Sequence, residues 1–262
     1  MQGDYRNDAE LYENVEDVPG ERAMFIKAAE IITAYATQNR KHPNRGIKIL
    51  DLCCGTAPIL GHLKITDETL FGEITGVDIS AQYLDFARGK YYGILAGQAW
   101  DPEHGANTEF IESDAVDYTH PEQVDVIIAS SAYHHIEDER KPRFLENVRE
   151  QLKADGIAVV CENLIPDYED MAQRAIAVTN FYTERIKELA RQGITDNRLG
   201  LLCRVLQYEL DREYEWKHSY RMFKDNLAEA GLEASTEFKV WPIEELFADS
   251  LVGDFVFTVN KK

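Results

Sequence analysis

Two hydrophobic rhythms alternate along this chain. From Glu21 to about Arg40, one stripe of Met24, Ala28, Ile31 and Tyr35 runs at helical spacing beside a second of Phe25, Ala29, Ile32 and Ala36, with Pro43 beyond. That pattern predicts an amphipathic helix. The period then shortens. Ile47 to Leu52 is a β-type run that breaks into Cys53-Cys54-Gly55-Thr56-Ala57-Pro58, and Glu73 to Asp78, Thr108 to Glu112, Val124 to Ser130 and Ile157 to Cys161 follow as further runs. The fourth is the most apolar and belongs at the centre of a sheet. Helical stretches separate the runs: Ser80 caps a segment with Leu84, Ala87 and Tyr91 on one face, and Pro142 opens another with Phe144, Leu145, Val148 and Leu152 that Gly156 stops.

Strands alternating with helices predict the α/β class, specifically a Rossmann-like doubly wound sheet, mostly parallel, with ligands outside the carboxyl ends of its strands. Ala234 to Trp241 and Asp254 to Val259 read as β-type runs that add an antiparallel edge. Between Pro166 and Ala230 the pattern is helical throughout, with Met171, Ala175, Val178, Tyr182, Ile186 and Leu189 on one stripe. The expected organisation is an N-terminal arm and helix acting as a lid over 1–45, a ligand-binding core over 46–165, a helical cap insertion over 166–231 and strands completing the sheet over 232–262.

Charge narrows the partners. Twenty-eight Lys and Arg stand against 47 Asp and Glu, a formal charge of −19, and such a field repels phosphate backbones and anionic lipid head groups. A small-molecule substrate is expected, with no nucleic acid and no membrane, and the oligomeric state is left open, with a homodimer as one candidate. Cys53, Cys54, Cys161 and Cys203 form neither a disulfide framework nor a CxxC zinc site, so no metal is expected. Free thiols and an acidic N-terminal stretch without an apolar run point to the cytoplasm.

The candidate chemistry lies at strand ends. Asp51-Leu52-Cys53-Cys54-Gly55-Thr56-Ala57 places small residues where a strand turns into a helix, so that backbone N–H groups can approach a polar ligand. Asp78 ends the next strand, where a carboxylate can accept hydrogen bonds from a ribose diol. Asp114 and Ala115, after the third, can meet an adenine amino group and ring. Together the three describe an adenosine pocket. A dinucleotide fingerprint would need glycines at 53, 55 and 58, where Cys, Gly and Pro stand.

Asp51-Leu52-Cys53-Cys54-Gly55-Thr56, Val77-Asp78-Ile79-Ser80 and Ser113-Asp114-Ala115 resemble the first three motifs of class I S-adenosylmethionine methyltransferases, over about residues 46 to 163. The resemblance implies S-adenosylmethionine as cofactor, with Asp78 on the ribose, Asp114 on the adenine, Ile79 against the ring and Gly55 beside the methionyl group. Asp51, Cys53, Ala115 and Ser130 complete the expected cofactor set. The family's three-glycine turn keeps only Gly55 here.

Ser130-Ser131-Ala132-Tyr133-His134-His135-Ile136 resembles the segment after strand four in small-molecule members, which makes Tyr133, His134 and His135 the catalytic candidates. The histidines are read as a general base or as wall residues, and Tyr133 as a substrate or sulfonium contact. Phe181, Tyr182 and Arg204 in the cap are the substrate-binding candidates. The helical block is also loosely similar to that of carboxy-S-adenosylmethionine synthases. The expected function is methyl transfer to a small molecule. The alternatives are an enzyme consuming S-adenosylmethionine without methyl transfer, by cyclisation to azetidine-2-carboxylate, aminocarboxypropyl transfer or carboxy-S-adenosylmethionine formation, and a catalytically idle binding module.

Overall fold

A computed structural model describes residues 18–39, 46–63, 70–97, 107–194, 197–243 and 245–262. The acidic arm expected ahead of the first helix falls on residues 1–17 and lies outside the described residues. Helix α1 (Pro19–Asn39) is followed by β1 (Ile47–Leu52), α2 (Pro58–His62), β2 (Phe71–Asp78), α3 (Ala81–Gly97), β3 (Asn107–Glu112) and β4 (Val124–Ser130). A 3₁₀ turn at Tyr133–His135 leads to α4 (Lys141–Gln151), β5 (Leu152–Leu164), α5 (Met171–Arg191), α6 (Asn197–Asp211), α7 (Tyr220–Glu229), β6 (Leu232–Trp241) and β7 (Gly253–Lys261).

The strands form one seven-stranded sheet in the order β3-β2-β1-β4-β5-β7-β6. Its first five strands pair in parallel, and β7 runs antiparallel to both β5 and β6. The sheet is therefore the Rossmann-like, mostly parallel one that the strand and helix rhythm predicts. Alternation along each strand explains its two covered faces. Ile49, Val126, Ile128 and Val159 pack against α1, α2 and α3, whereas Leu50, Leu52, Ile127, Ala129 and Val160 pack against α4 and α7. A third cluster joins α5 and α6 to the sheet edge through Val178, Phe181, Leu189, Leu202 and Trp241.

The fifth strand departs from expectation. It begins at Leu152, where Leu152 pairs with Val124, and a register shift follows before Ile157 pairs with Val126. The sequence Leu152-Lys153-Ala154-Asp155-Gly156 lacks period-two alternation because Lys153, Ala154 and Asp155 lie outside the core, so it reads as the tail of a helix.

The start of α1 is fastened to the sheet by buried polar groups. Ser131 Oγ donates to Glu21 Oε2 at 2.9 Å, and Asn163 Nδ2 donates to Glu21 Oε1 at 3.1 Å and to Asp254 Oδ1 at 2.9 Å. Arg185 of α5 ion-pairs with both carboxylates. Its guanidinium lies 5.0 Å from the ring centre of Phe181 and 4.7 Å from that of Trp241. This knot closes α1 and α5 over the carboxyl end of the sheet, where β1 and β4 diverge into the crevice typical of the fold.

Candidate active site

The turn after β1 is built from left-handed backbone. Cys53 has φ 58°, Gly55 has φ 55° and Ala57 has φ 55°; Ser131, just past β4, has φ 49°. Glycine accepts such angles freely, but each non-glycine residue there costs on the order of 1–3 kcal/mol. Three strained residues thus stand at the adjacent ends of two central strands. The Cys54 N–H donates to Val77 O at 2.9 Å, and the buried Tyr91 hydroxyl donates to Ala57 O, which holds the turn in place.

Asp78 is the hub of this end of the sheet. Its two carboxylate oxygens accept the backbone N–H of Gly55 and of Ser80, each at 2.8 Å. Burial pushes its carboxyl up, and the Ser80 and Gly55 N–H groups oppose that rise without cancelling it. Around it opens a cavity of about 350 Å³, whose walls include Cys53, Gly55, Asp78, Ile79, Asp114 and Ala115, with Tyr83, Ser131, His135, Arg140 and Trp216. Six of the eight sequence-predicted cofactor residues are therefore brought together. Ile79 leaves 73% of its surface exposed, an apolar face turned to a polar opening. Asp114 accepts the Val116 N–H at 2.9 Å and is paired with Arg140 at 2.8 Å, a partner that sequence reasoning did not supply.

Asp51 and Ser130 are not in that wall. Asp51 is buried beneath the turn, where burial and then the charge of Asp78 push its carboxyl well above the usual range. The hydroxyl in the wall belongs to Ser131.

A smaller inner chamber of about 70 Å³ adjoins the large cavity, with Ser131 and His135 in the walls of both. Its walls carry a dense set of polar and charged side chains, Glu21, His134, His135, Arg185, Glu215 and Lys217, with Tyr182 beside Val18, Leu201, Leu202 and Val205. His134 Nδ1 meets Glu162 Oε2 at 2.7 Å, while Glu162 Oε1 accepts the Tyr133 N–H at 2.8 Å. Burial, and then the nearby charge of Lys217, push His134 well below the ordinary imidazole range, so the ring is neutral. His135 Nδ1 stands 2.9 Å from Tyr214 O. Lys217 bridges Glu215 at 2.9 Å and Glu209 at 3.1 Å, and Arg174 pairs with Glu209.

Three of the sequence candidates lie outside both cavity walls. Tyr133 faces away from both cavities: it is 2% exposed, its hydroxyl accepts from Asn226 Nδ2 at 2.7 Å, and its ring packs on Phe144, Phe223 and His218. Phe181 lies in the third core cluster against Trp241 and Phe247, because its aromatic surface is used to seal α5 on the sheet edge. Arg204 is in neither cavity wall, and Arg185 supplies the guanidinium instead. Tyr182, His134 and His135 do reach the chamber. Glu215, Glu162 and Lys217 were missed, as each resembles any surface charge in so acidic a chain. No metal was expected either, yet His134, His135 and Glu215 each bring one ligand atom within 4.8 Å of the others.

A seven-stranded sheet of this order, with carboxylates at the ends of β2 and β3 facing one cavity, defines the class I S-adenosylmethionine-dependent methyltransferase fold. Residues 49–156 match the family described as methyltransferase domain. No curated protein matches the chain in sequence. Among solved structures, it is similar to a mitomycin 7-O-methyltransferase, at 14% identity and TM-score 0.51, over 96% of this chain and 60% of that one. It thus spans less than two thirds of that protein's length. It is also similar to magnesium protoporphyrin IX methyltransferase from Synechocystis PCC 6803 with bound S-adenosylmethionine, at 11% identity and TM-score 0.53, over 93% and 82% of the two chains. A TehB-like S-adenosylmethionine-dependent methyltransferase from Corynebacterium glutamicum ATCC 13032 has 18% identity and TM-score 0.53, over 98% and 97%. Among the described residues no helix is long and apolar enough to cross a membrane.

Proposed function

We propose that the chain transfers a methyl group from S-adenosylmethionine to a small polar acceptor. The observation that carries this reading is the pair of adjacent cavities: a nucleoside-sized one walled by Asp78, Ile79 and Asp114, and a small charged chamber that shares Ser131 and His135 with it. The donor set fits the cofactor. Asp78 would accept from the ribose diol, Ile79 would lie against the adenine and Asp114 would receive its amino group, while the Cys53–Gly55 turn, whose Cys54 and Gly55 N–H groups are held by Val77 O and Asp78, would border the methionyl end with small residues. S-adenosylmethionine supplies, when bound, an electrophilic methyl on a positively charged sulfur.

The protein's task is alignment and exclusion of water. The chamber supports both. Its polar walls receive the acceptor, His134 and His135 stand where the reacting heteroatom enters, and the helices α5 and α6 cover it as a cap. At about 70 Å³ it admits only a small molecule or one end of a larger one.

The same small volume favours one second reading, in which the cofactor is consumed within itself by cyclisation and no acceptor is needed. One incubation separates the two. Labelled S-adenosylmethionine is supplied with and without small amine, hydroxyl and carboxylate acceptors, and the released nucleoside is identified. Acceptor-dependent S-adenosylhomocysteine is the expected product. Methylthioadenosine released without acceptor would replace the methyl-transfer reading by the second, and an unchanged cofactor throughout would leave a binding module.

A further inference from the structure

We propose that His134, His135 and Glu215 form a binding site for a divalent transition-metal ion, of the zinc or cobalt type, in the wall of the inner chamber. The proposal rests on the acceptor reading above only for the ion's role, which is to hold an oxygen or nitrogen donor of the acceptor. The site itself stands on geometry. One ring nitrogen from each histidine and one carboxylate oxygen of Glu215 all lie within 4.8 Å of one another. His134 Nε2 is 3.8 Å from Glu215 Oε2, too long for a hydrogen bond, and that oxygen accepts from Lys217 Nζ at 2.9 Å, a bond the ion would share or replace. Two ligands bound at about 2.0–2.2 Å to one ion stand roughly 3–4 Å apart, so that gap suits an ion between them.

The other side of each ring is arranged as metal sites require. A ligating imidazole gives its remaining N–H to a carboxylate or carbonyl, which fixes the tautomer and turns the lone pair to the metal. His134 Nδ1 meets the Glu162 carboxylate at 2.7 Å, leaving Nε2 toward Glu215. His135 Nδ1 meets the Tyr214 carbonyl at 2.9 Å and stands 3.8 Å from Glu215 Oε1; a carbonyl only accepts, so this nitrogen carries the proton and the lone pair that would bind an ion is on Nε2. Tyr214 precedes Glu215, so one short segment supplies a ligand and orients another.

Two imidazoles and one carboxylate select a zinc-like ion over magnesium or calcium, which prefer all-oxygen shells. All three residues border the chamber, so the coordination positions they leave open face the space assigned to the acceptor.

The test is calorimetric titration of tag-free, chelator-treated protein with Zn²⁺, paired with the visible absorption of the Co²⁺ form. One equivalent bound at about 1 µM or tighter is expected, with a Co²⁺ spectrum of low-symmetry coordination. His135→Ala and Glu215→Gln should each weaken binding at least tenfold. Glu162→Gln, which changes the partner of His134 Nδ1 and keeps an acceptor for the Tyr133 N–H, should weaken it about tenfold to a hundredfold. Wild-type protein that binds Zn²⁺ no better than at about 100 µM overturns the proposal whatever the variants do, and so does unchanged affinity in folded His135→Ala. S-adenosylhomocysteine binding to the chelated protein is measured separately, so failure of the nucleoside reading is distinguishable from failure of the metal site.

Discussion

Replacing Asp78 by asparagine tests the nucleoside cavity and the turn beside it with one atom. Each carboxylate oxygen of Asp78 already accepts one backbone N–H, from Gly55 and from Ser80. An amide offers one oxygen. Its NH₂ must then face one of those two N–H groups, leaving a buried donor unmatched at a cost of about 1–3 kcal/mol in stability. The lone pairs turned toward the cavity lose their charge as well. Hydrogen bonds to a charged acceptor contribute about 1.5–3 kcal/mol, so affinity for S-adenosylhomocysteine should fall about tenfold to a hundredfold. Isothermal calorimetry measures the second loss and urea unfolding the first. The two also separate by pH. Burial raises the Asp78 carboxyl, so in the wild type it protonates at a higher pH than a free aspartate does, and nucleoside affinity declines from that higher pH downward. The asparagine variant has no such group and lacks that decline. A variant that loses stability but binds S-adenosylhomocysteine within twofold of wild type would refute the reasoning, because Asp78 would then be holding the turn alone.

Two further variants address the surroundings of the chamber. Tyr133→Phe removes a hydroxyl bonded to Asn226 in the core, so it should cost about 0.5–1.5 kcal/mol in urea unfolding and leave turnover unchanged; a tenfold fall in kcat at unaltered stability would put the hydroxyl back at the reacting centre. Arg185→Met strands the buried carboxylates of Asp254 and Glu21 and should cost about 3–5 kcal/mol near neutral pH. Burial already pushes the Asp254 carboxyl up to about 6 against the opposing charge of Arg185, and its folded value lies above its unfolded one. Its contribution to stability is thus fully present below the unfolded value and lost as pH rises through about 6. The variant should accordingly regain stability on acidification from pH 7 toward 5, and a deficit that stays flat across that range would sink the account.

How far the sequence reveals this site depends on whether its signals are local. The carboxylates on the nucleoside cavity end strands whose apolar runs mark them, so Asp78 and Asp114 could be placed from chain position alone, and the structure brings both to one cavity. The chamber has no such marker. Glu21 comes from α1, Glu162 from β5, Arg185 from α5 and Glu215 from the stretch after α6, and in a chain with 47 acidic residues nothing local separates a buried carboxylate from a solvated one. Only the sheet order, which sets β5 beside β4, brings Glu162 to His134. The segment Tyr133-His134-His135 shows the remaining limit at the scale of single residues. It folds as a 3₁₀ turn, in which three residues complete one revolution and successive side chains point about 120° apart. One of the three must therefore face away from any site the others share. Sequence alone offered three polar or aromatic candidates of equal standing, and the core formed by Phe144 and Phe223 took the tyrosine, whose ring it could bury and whose hydroxyl Asn226 could satisfy. The two imidazoles were left for the chamber, where carboxylate and carbonyl partners fix their tautomers, and that selection by packing is what makes a pair of adjacent histidines available for chemistry.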